Sequence, residues 1–338
     1  MIVKNNIFVT VLISVYNGAD YLHESLSSVL SQTYDNFEIL VINDGSTDNS
    51  VNIINSFHDG RIRIINNGRN LGLTQSLNKG IQLAQGKYIL RMDADDICLP
   101  NRFEEQIKFM EANQTISFSG TWFKILYSNR TTKPPVGDEE IKAGLFFYNP
   151  FGHPCMILKK EDFMKNELLY DEKFSYAQDY DLWVRASKKL KSANLNIALL
   201  QYREHQNQMS QVYEQKVIEE PNNIRINQLK EFISCTQDEI NLHLKLLNGK
   251  LESNYEFILH ATQWLEKLHY HNISTNIFSP QYFSRKLSEI WINLFIGAKK
   301  FNPQLLYIYV KSPLRAFSSL KTEQFSKFVI KCMIKHKI

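Results

Sequence analysis

Four short polar clusters contain the residue types from which a catalytic site can be built. The first is Asp93-Ala94-Asp95-Asp96, directly after an apolar run. At a strand end, residues two apart project to the same side, so Asp93 and Asp95 face one ligand together. Two hard carboxylate oxygens in an open crevice suit Mg²⁺ or Mn²⁺, with coordination positions left over for phosphate oxygens. The triplet alone says little, because a second Asp-x-Asp occurs at Asp179 and Asp181. Its place behind an apolar strand is what favours a ligand site over a solvated turn.

The second cluster is Asn43-Asp44-Gly45-Ser46-Thr47-Asp48. Gly45 permits a tight turn, and Ser46 or Thr47 suits the cap of a following helix. Turn chemistry does not require Asp44, whose carboxylate can accept hydrogen bonds from a base or ribose. The third, Gln178-Asp179-Tyr180-Asp181-Leu182-Trp183-Val184-Arg185, opens a helix. Acidic residues there are favoured by the helix dipole. A positioned carboxylate can also take the proton of a sugar hydroxyl, a poor nucleophile near neutral pH. The fourth, Tyr202-Arg203-Glu204-His205, places an imidazole that can complete a metal shell beside a cation that can neutralise a diphosphate.

The intervening segments must bring these clusters together. Residues 7–15, 37–42, 61–65 and 87–92 read as strands, and apolar spacing predicts helices at 20–30, 50–57 and 74–84. Asp20 suits the cap of the first of these helices. A βαβαβαβ order implies a mostly parallel sheet with helices on both faces, and ligands in such sheets lie beyond the carboxyl ends of the strands. Tyr16-Asn17, residues 44–46 and residues 93–96 stand at three such ends. Beyond Pro100 a helix with Phe103, Ile107 and Met110 on one face is expected, then strands at 117–126, 155–158 and 195–202 and a helix at 179–190. From about residue 215 strand alternation disappears. Ser253-x-x-Glu256 reads as a capping box ahead of Phe257, Ala261, Trp264 and Leu268 at helical spacing. The expected organisation is an α/β domain over 1–215 and a helical, basic extension over 216–338.

With these elements in place, a resemblance emerges. Ser14-Val15-Tyr16-Asn17, the 43–48 cluster, Asn70-Leu71-Gly72, Ala84-x-Gly86-x-Tyr88-Ile89, the 93–96 cluster, Asp179-Tyr180-Asp181-Leu182-Trp183 with Arg185, and Tyr202-Arg203-x-His205 together resemble family 2 glycosyltransferases of the GT-A fold. The likeness runs over roughly residues 7–210, in order. It implies an inverting, metal-dependent transfer from a nucleotide sugar, usually a UDP-sugar. Val15, Tyr16, Asn17, Asp44, Asn70 and Asp93 would then bind the donor, with Tyr16 and Asp44 at the base and Asp93 on the ribose side. Asp95 would bind Mn²⁺ or Mg²⁺ with His205 as a further ligand, and Asp179 would be the general base. The family usually has Glu where this chain has Gln178, and Pro where it has Ser14. The acceptor expected from the likeness is a glycan or a polyprenyl-linked sugar in capsule or O-antigen synthesis. Asn149-Pro150-Phe151-Gly152-His153-Pro154, between the metal and base clusters, either shapes the sugar or acceptor pocket or is a plain connector.

Composition agrees with an enzyme of this kind. The chain has 338 residues, 43% of them hydrophobic and 22% charged, which excludes disordered and low-complexity classes. Its four cysteines form no Cys-x-x-Cys, so neither a disulfide framework nor a structural zinc site is expected, and a reducing, cytoplasmic setting fits. The first apolar run reads as a buried strand, not a signal peptide, and no stretch of about 18 apolar residues occurs. The net charge is +4, yet residues 281–338 hold eleven Lys or Arg against Glu289 and Glu323. With Trp291, Phe295, Phe301, Tyr307, Tyr309, Phe317, Phe325 and Phe328, that basic segment suggests a peripheral contact with the anionic inner face of a membrane. Nucleic acid is not expected, since no recognition motif accompanies the charge. A sugar-1-phosphate nucleotidyltransferase would need a basic Gly-rich loop after the first strand, and residues 16–20 contain no Lys or Arg. A non-catalytic nucleotide- or glycan-binding module would not need Asp95 and Asp179.

Overall fold

A computed structural model of the chain describes residues 8–205, 208, 214–252, 254–296 and 303–318. The chain forms two compact units. One comprises residues up to 141 together with 149–221, and the other residues 142–148 together with those from 222 onward. The helical unit thus takes in residues 142–148 as well as the chain from 222 onward.

The first unit begins with β1 (Val9–Val15), α1 (Ala19–Leu30), β2 (Phe37–Asn43), α2 (Ser50–Ser56), β3 (Ile62–Asn66), α3 (Leu73–Leu83) and β4 (Tyr88–Met92). Then come β5 (Ile97–Cys98), α4 (Arg102–Ala112), β6 (Ile116–Ile125), β7 (Thr131–Thr132), α5 (Asp138–Leu145), β8 (Ile157–Lys159), α6 (Lys160–Lys165), α7 (Gln178–Ser187) and β9 (Lys191–Tyr202). One sheet holds the strands in the order β3-β2-β1-β4-β8-β6-β9-β5, with β7 on β6. The β3-β2-β1-β4 half is parallel, with Val15 opposite Asn43 and Ile13 opposite Met92. The other half is mixed: β8 runs antiparallel to β4 and β6, while β9 lies parallel to β6. β1 and β2 are almost wholly buried, as continuous Val/Ile/Leu runs predict for strands covered on both faces.

Two details fix the parallel half. A side chain at Gly86 would bring its Cβ to 2.4 Å from the backbone N of Thr10, so only glycine lets the chain enter β4 beside β1. Thr10 Oγ1 accepts from the backbone N–H groups of Gln85 (3.1 Å) and Gly86 (2.9 Å) and donates to Glu38 (2.6 Å), which also binds Arg63. This buried polar knot joins β1, β2, β3 and the entry to β4.

Several local expectations are corrected. Residues 153–155 form a 3-10 turn, so β8 begins at 157, and β9 begins at 191, four residues earlier than its apolar run suggests. Ser253 lies outside the described residues, and the helix behind it is capped by Asn254, whose side chain accepts from Phe257 N. The observed capping box is Thr236 with Glu239.

The second unit consists of α8 (Glu214–Phe232, which begins in the first), α9 (Gln237–Leu247), α10 (Tyr255–Thr275), α11 (Pro280–Ile296) and α12 (Pro303–Lys311). Its core includes Phe146, Phe147, Phe232, Trp264, Leu268, Phe283 and Trp291. Trp291, Phe295 and Tyr309 pack on one another inside this core. They are therefore not available for shallow insertion into a lipid surface. Phe301, Phe325 and Phe328 lie outside the described residues. Among the described residues no helix is long and apolar enough to cross a membrane.

Candidate active site

Three of the four polar clusters, at 43–48, 93–96 and 202–205, meet beyond the carboxyl ends of β1, β2 and β4, around the first turns of α1. Asn17 adopts a left-handed backbone (φ 49°). Its Oδ1 accepts from Thr47 N (2.8 Å), while its own N–H donates to Ser46 Oγ (3.1 Å). The next two N–H groups, of Gly18 and Ala19, donate to Ser50 Oγ (3.0 Å) and Asp48 Oδ2 (2.9 Å). The start of α1 is thus satisfied from the 46–50 loop and not by Asp20, and Ser46 and Thr47 join the two loops instead of capping α2. Short-range capping rules miss this because the partners are about 30 residues apart in sequence.

The Asp44 carboxylate is buried and turned toward the 67–72 loop. It accepts from Asn67 Nδ2 (2.8 Å), Leu71 N (2.9 Å) and Gly72 N (2.9 Å). About four acceptor positions are available on a carboxylate, so it retains one. Gly45 makes the approach possible: it sits at φ 75°, and a Cβ there would lie 2.5 Å from the Arg69 carbonyl carbon. Asn70 Oδ1 accepts from Gly72 N (2.9 Å), and Tyr16, directly after β1, is 51% exposed. Val15 is buried, and its carbonyl accepts from Asp44 N.

At the end of β4, one oxygen from each of Asp93, Asp95 and Asp96 lies within 4.8 Å of the others. Asp96 is fully buried; one of its oxygens accepts from Arg203 N (2.8 Å) and the other has no hydrogen-bond partner. Burial, then the neighbouring Asp93, pushes the Asp95 carboxyl above its ordinary pKa, and burial pushes Asp96 further. Three crowded carboxylates of this kind are stabilised by a cation. His205 Nε2 lies 2.9 Å from Asp95 Oδ2, and its ring rests against Tyr21. Arg203 donates to the Asp95 carbonyl (2.7 Å), pairs with Glu24 and lies over the Tyr21 ring. The last strand and the first helix thereby hold the cluster from both sides.

Asp179, in the first turn of α7, stands apart from that cluster. Its Oδ2 accepts from Asn149 Nδ2 (2.8 Å) and its Oδ1 from Tyr180 N (2.8 Å). Burial raises its pKa, which the Tyr180 N–H, Arg91 and Asn149 oppose. Asp181 is committed to Arg185, one turn along the same helix (2.7 Å). The two Asp-x-Asp triplets therefore differ: one gathers carboxylates, the other makes a helix ion pair. Gln178 is buried, and its Oε1 has no hydrogen-bond partner. His153 is a part-buried partner of Tyr170 (2.8 Å), and desolvation drives its pKa well down.

Sequence reasoning passed over Arg91. It lies buried in β4, pairs with Asp93 and acts electrostatically on Asp179, so one guanidinium serves both carboxylate sites. An arginine inside the run Tyr88-Ile89-Leu90-Arg91-Met92 was its signal, since a charge so placed needs a buried partner.

Comparison with known proteins identifies the family. Residues 10–166 match the model of glycosyl transferase family 2. The chain is 34% identical over 260 residues to an uncharacterized glycosyltransferase of Haemophilus influenzae, covering 73% of this chain and 79% of that protein. It is 31% identical over 207 residues to the Escherichia coli UDP-Glc:alpha-D-GlcNAc-diphosphoundecaprenol beta-1,3-glucosyltransferase WfaP, covering 60% of this chain and 79% of that one. Among solved structures, S. aureus TarS 1-349 in complex with UDP-GlcNAc shares the fold, with a TM-score of 0.58 at 16% identity over 84% of this chain and 83% of that one. Motif order, sheet topology and a relative aligned over most of both lengths lead to one assignment: this chain belongs to glycosyltransferase family 2.

Proposed function

We propose that the chain transfers a sugar, with inversion, from a UDP-sugar to a hydroxyl of a glycan or polyprenyl-linked acceptor in surface-polysaccharide synthesis. The observation that carries this reading is the separation of two kinds of carboxylate around Arg91. Asp93, Asp95 and Asp96 crowd together, whereas Asp179 is a lone acid held by neutral donors. Single displacement needs one base and no covalent nucleophile.

In this reading the Tyr16 ring, Val15, Asn17, Asp44 and Asn70 receive the base and ribose of the donor, with Asp93 at the ribose end. The crowded oxygens and the orphaned Asp96 oxygen fit Mg²⁺ or Mn²⁺, for which Asp95 and His205 would be ligands. Such an ion would neutralise charge on the diphosphate. Asp179 takes the acceptor hydroxyl proton as the new oxygen–anomeric carbon bond forms. The bond to the diphosphate breaks on the opposite face, and UDP departs with the electron pair. The Asp179 environment supports the role, because a carboxylate raised by burial is a stronger base than an exposed one.

The lipid-linked acceptor is suggested by the Escherichia coli relative WfaP, a glucosyltransferase named for a GlcNAc-diphosphoundecaprenol acceptor. Ile296, Tyr307 and Val310 are exposed on the basic segment and would supply its apolar membrane contact. The deciding experiment is a screen of nucleotide sugars for UDP release, followed by NMR of the product anomer. Release from a UDP-sugar with an inverted linkage is expected; retention of configuration would refute the mechanism.

A further inference from the structure

Asp179 sits beside two structures that its own helix does not supply. The first is Asn149. Its Nδ2 donates to Asp179 Oδ2 (2.8 Å), and its Oδ1 accepts from Phe151 N (3.1 Å), so the amide cannot turn over without losing both bonds. The second is Glu220 on α8. One of its oxygens accepts from Tyr176 N (2.8 Å), Ala177 N (3.0 Å) and Ser175 N (3.0 Å), the three residues leading into the helix that carries Asp179. Both residues stand where the chain passes between the units, at 148/149 and at 221/222.

We propose that Asn149 and Glu220 are positioning residues for the general base: Asn149 fixes the direction of the Asp179 carboxylate, and Glu220 fixes the backbone from which it projects. The proposal rests on the reading of Asp179 as the base. Arg91 on β4 and Tyr170, ahead of α7, also act electrostatically with Asp179, and neither is changed by the test. A donor to the ionised form favours that form. Loss of Asn149 therefore moves the acid limb of the kcat–pH profile to higher pH. A carboxylate in its place moves the limb further, through like-charge repulsion.

The test compares Asn149→Ala, Asn149→Asp, Glu220→Gln and Asp179→Asn in the full-length chain with a UDP-sugar found active by the screen. Expected for Asn149→Ala is a kcat lowered about tenfold or more, the size of a hydrogen bond to a charged group. KM for the donor and affinity for UDP should stay unchanged. The acid limbs should rank Asn149→Asp above Asn149→Ala above the parent. Glu220→Gln should lower kcat with the limb in place. Asn149→Asp preserves shape, so it keeps the test open should the alanine variant fold poorly. If Asp179→Asn is inactive yet both Asn149 variants keep the parental limb, Asn149 does not position the base. Parental kcat in Glu220→Gln removes Glu220 from the assignment. Normal turnover in Asp179→Asn overturns the base reading and this proposal with it.

Discussion

Replacing Asp179 with Asn changes almost nothing in shape and removes the ability to take a proton. Two consequences can be separated. General-base catalysis contributes roughly 10²–10⁴ in rate, about 2.7–5.4 kcal/mol at about 1.36 kcal/mol per decade. Turnover should fall by that factor, while UDP affinity stays near parental because the donor wall lies on other elements. Stability should respond in a pH-dependent way. The amide must accept from Tyr180 N, so its NH₂ faces the NH₂ of Asn149, a clash of donors costing about 1–3 kcal/mol at every pH. Against this, burial raises the folded-state pKa of Asp179 above its ordinary 3.8. A group raised in the folded state contributes stability below its unfolded pKa and loses it as pH rises through the folded value. The parent carries that loss and the variant does not. The melting temperature of the variant relative to the parent should therefore be higher at pH 7 than near pH 4. Coupled-enzyme UDP detection and melting curves at the two pH values measure both effects. Parental turnover refutes the base assignment, and a melting difference independent of pH refutes the burial argument.

Asp95→Ala should abolish transfer and Mn²⁺-dependent UDP binding without unfolding the chain, and EDTA should mimic it reversibly; full activity under chelation would remove the metal. Gly45→Ala forces a side chain into a left-handed position and against the Arg69 backbone. It should cost more than about 1 kcal/mol and raise donor KM by displacing the loop held by Asp44, as melting and kinetics together would show. Thr10→Val leaves Gly86 N without its acceptor and should cost about 1–3 kcal/mol, a melting drop of several degrees, with KM unchanged. Co-sedimentation with anionic liposomes across a salt series tests the membrane contact; binding should be lost as salt screens the basic segment.

The sequence by itself determined the parallel half of the sheet and the cluster at each strand end. Those signals are local: continuous apolar runs of strand length, glycine at tight turns and acids directly behind a strand, as at Asp44 and at 93–96. The pattern also showed the change to helices near residue 215. Tertiary structure alone decided which polar groups are partners. The Asn17 and Ser46 loops interlock across 29 residues, and His205 reaches Asp95 across 110. Arg203, directly after the last strand in the chain, engages both Asp95 and Asp96. The same limit applied to the aromatic residues of the basic segment. Composition marked Trp291, Phe295 and Tyr309 as aromatics of a basic segment, but not whether they face lipid or a core, and the helices of the second unit enclose them. Periodicity reports which face of an element is apolar. What covers that face, and which distant donor satisfies a buried carboxylate, depends on neighbours that the chain brings together only by folding.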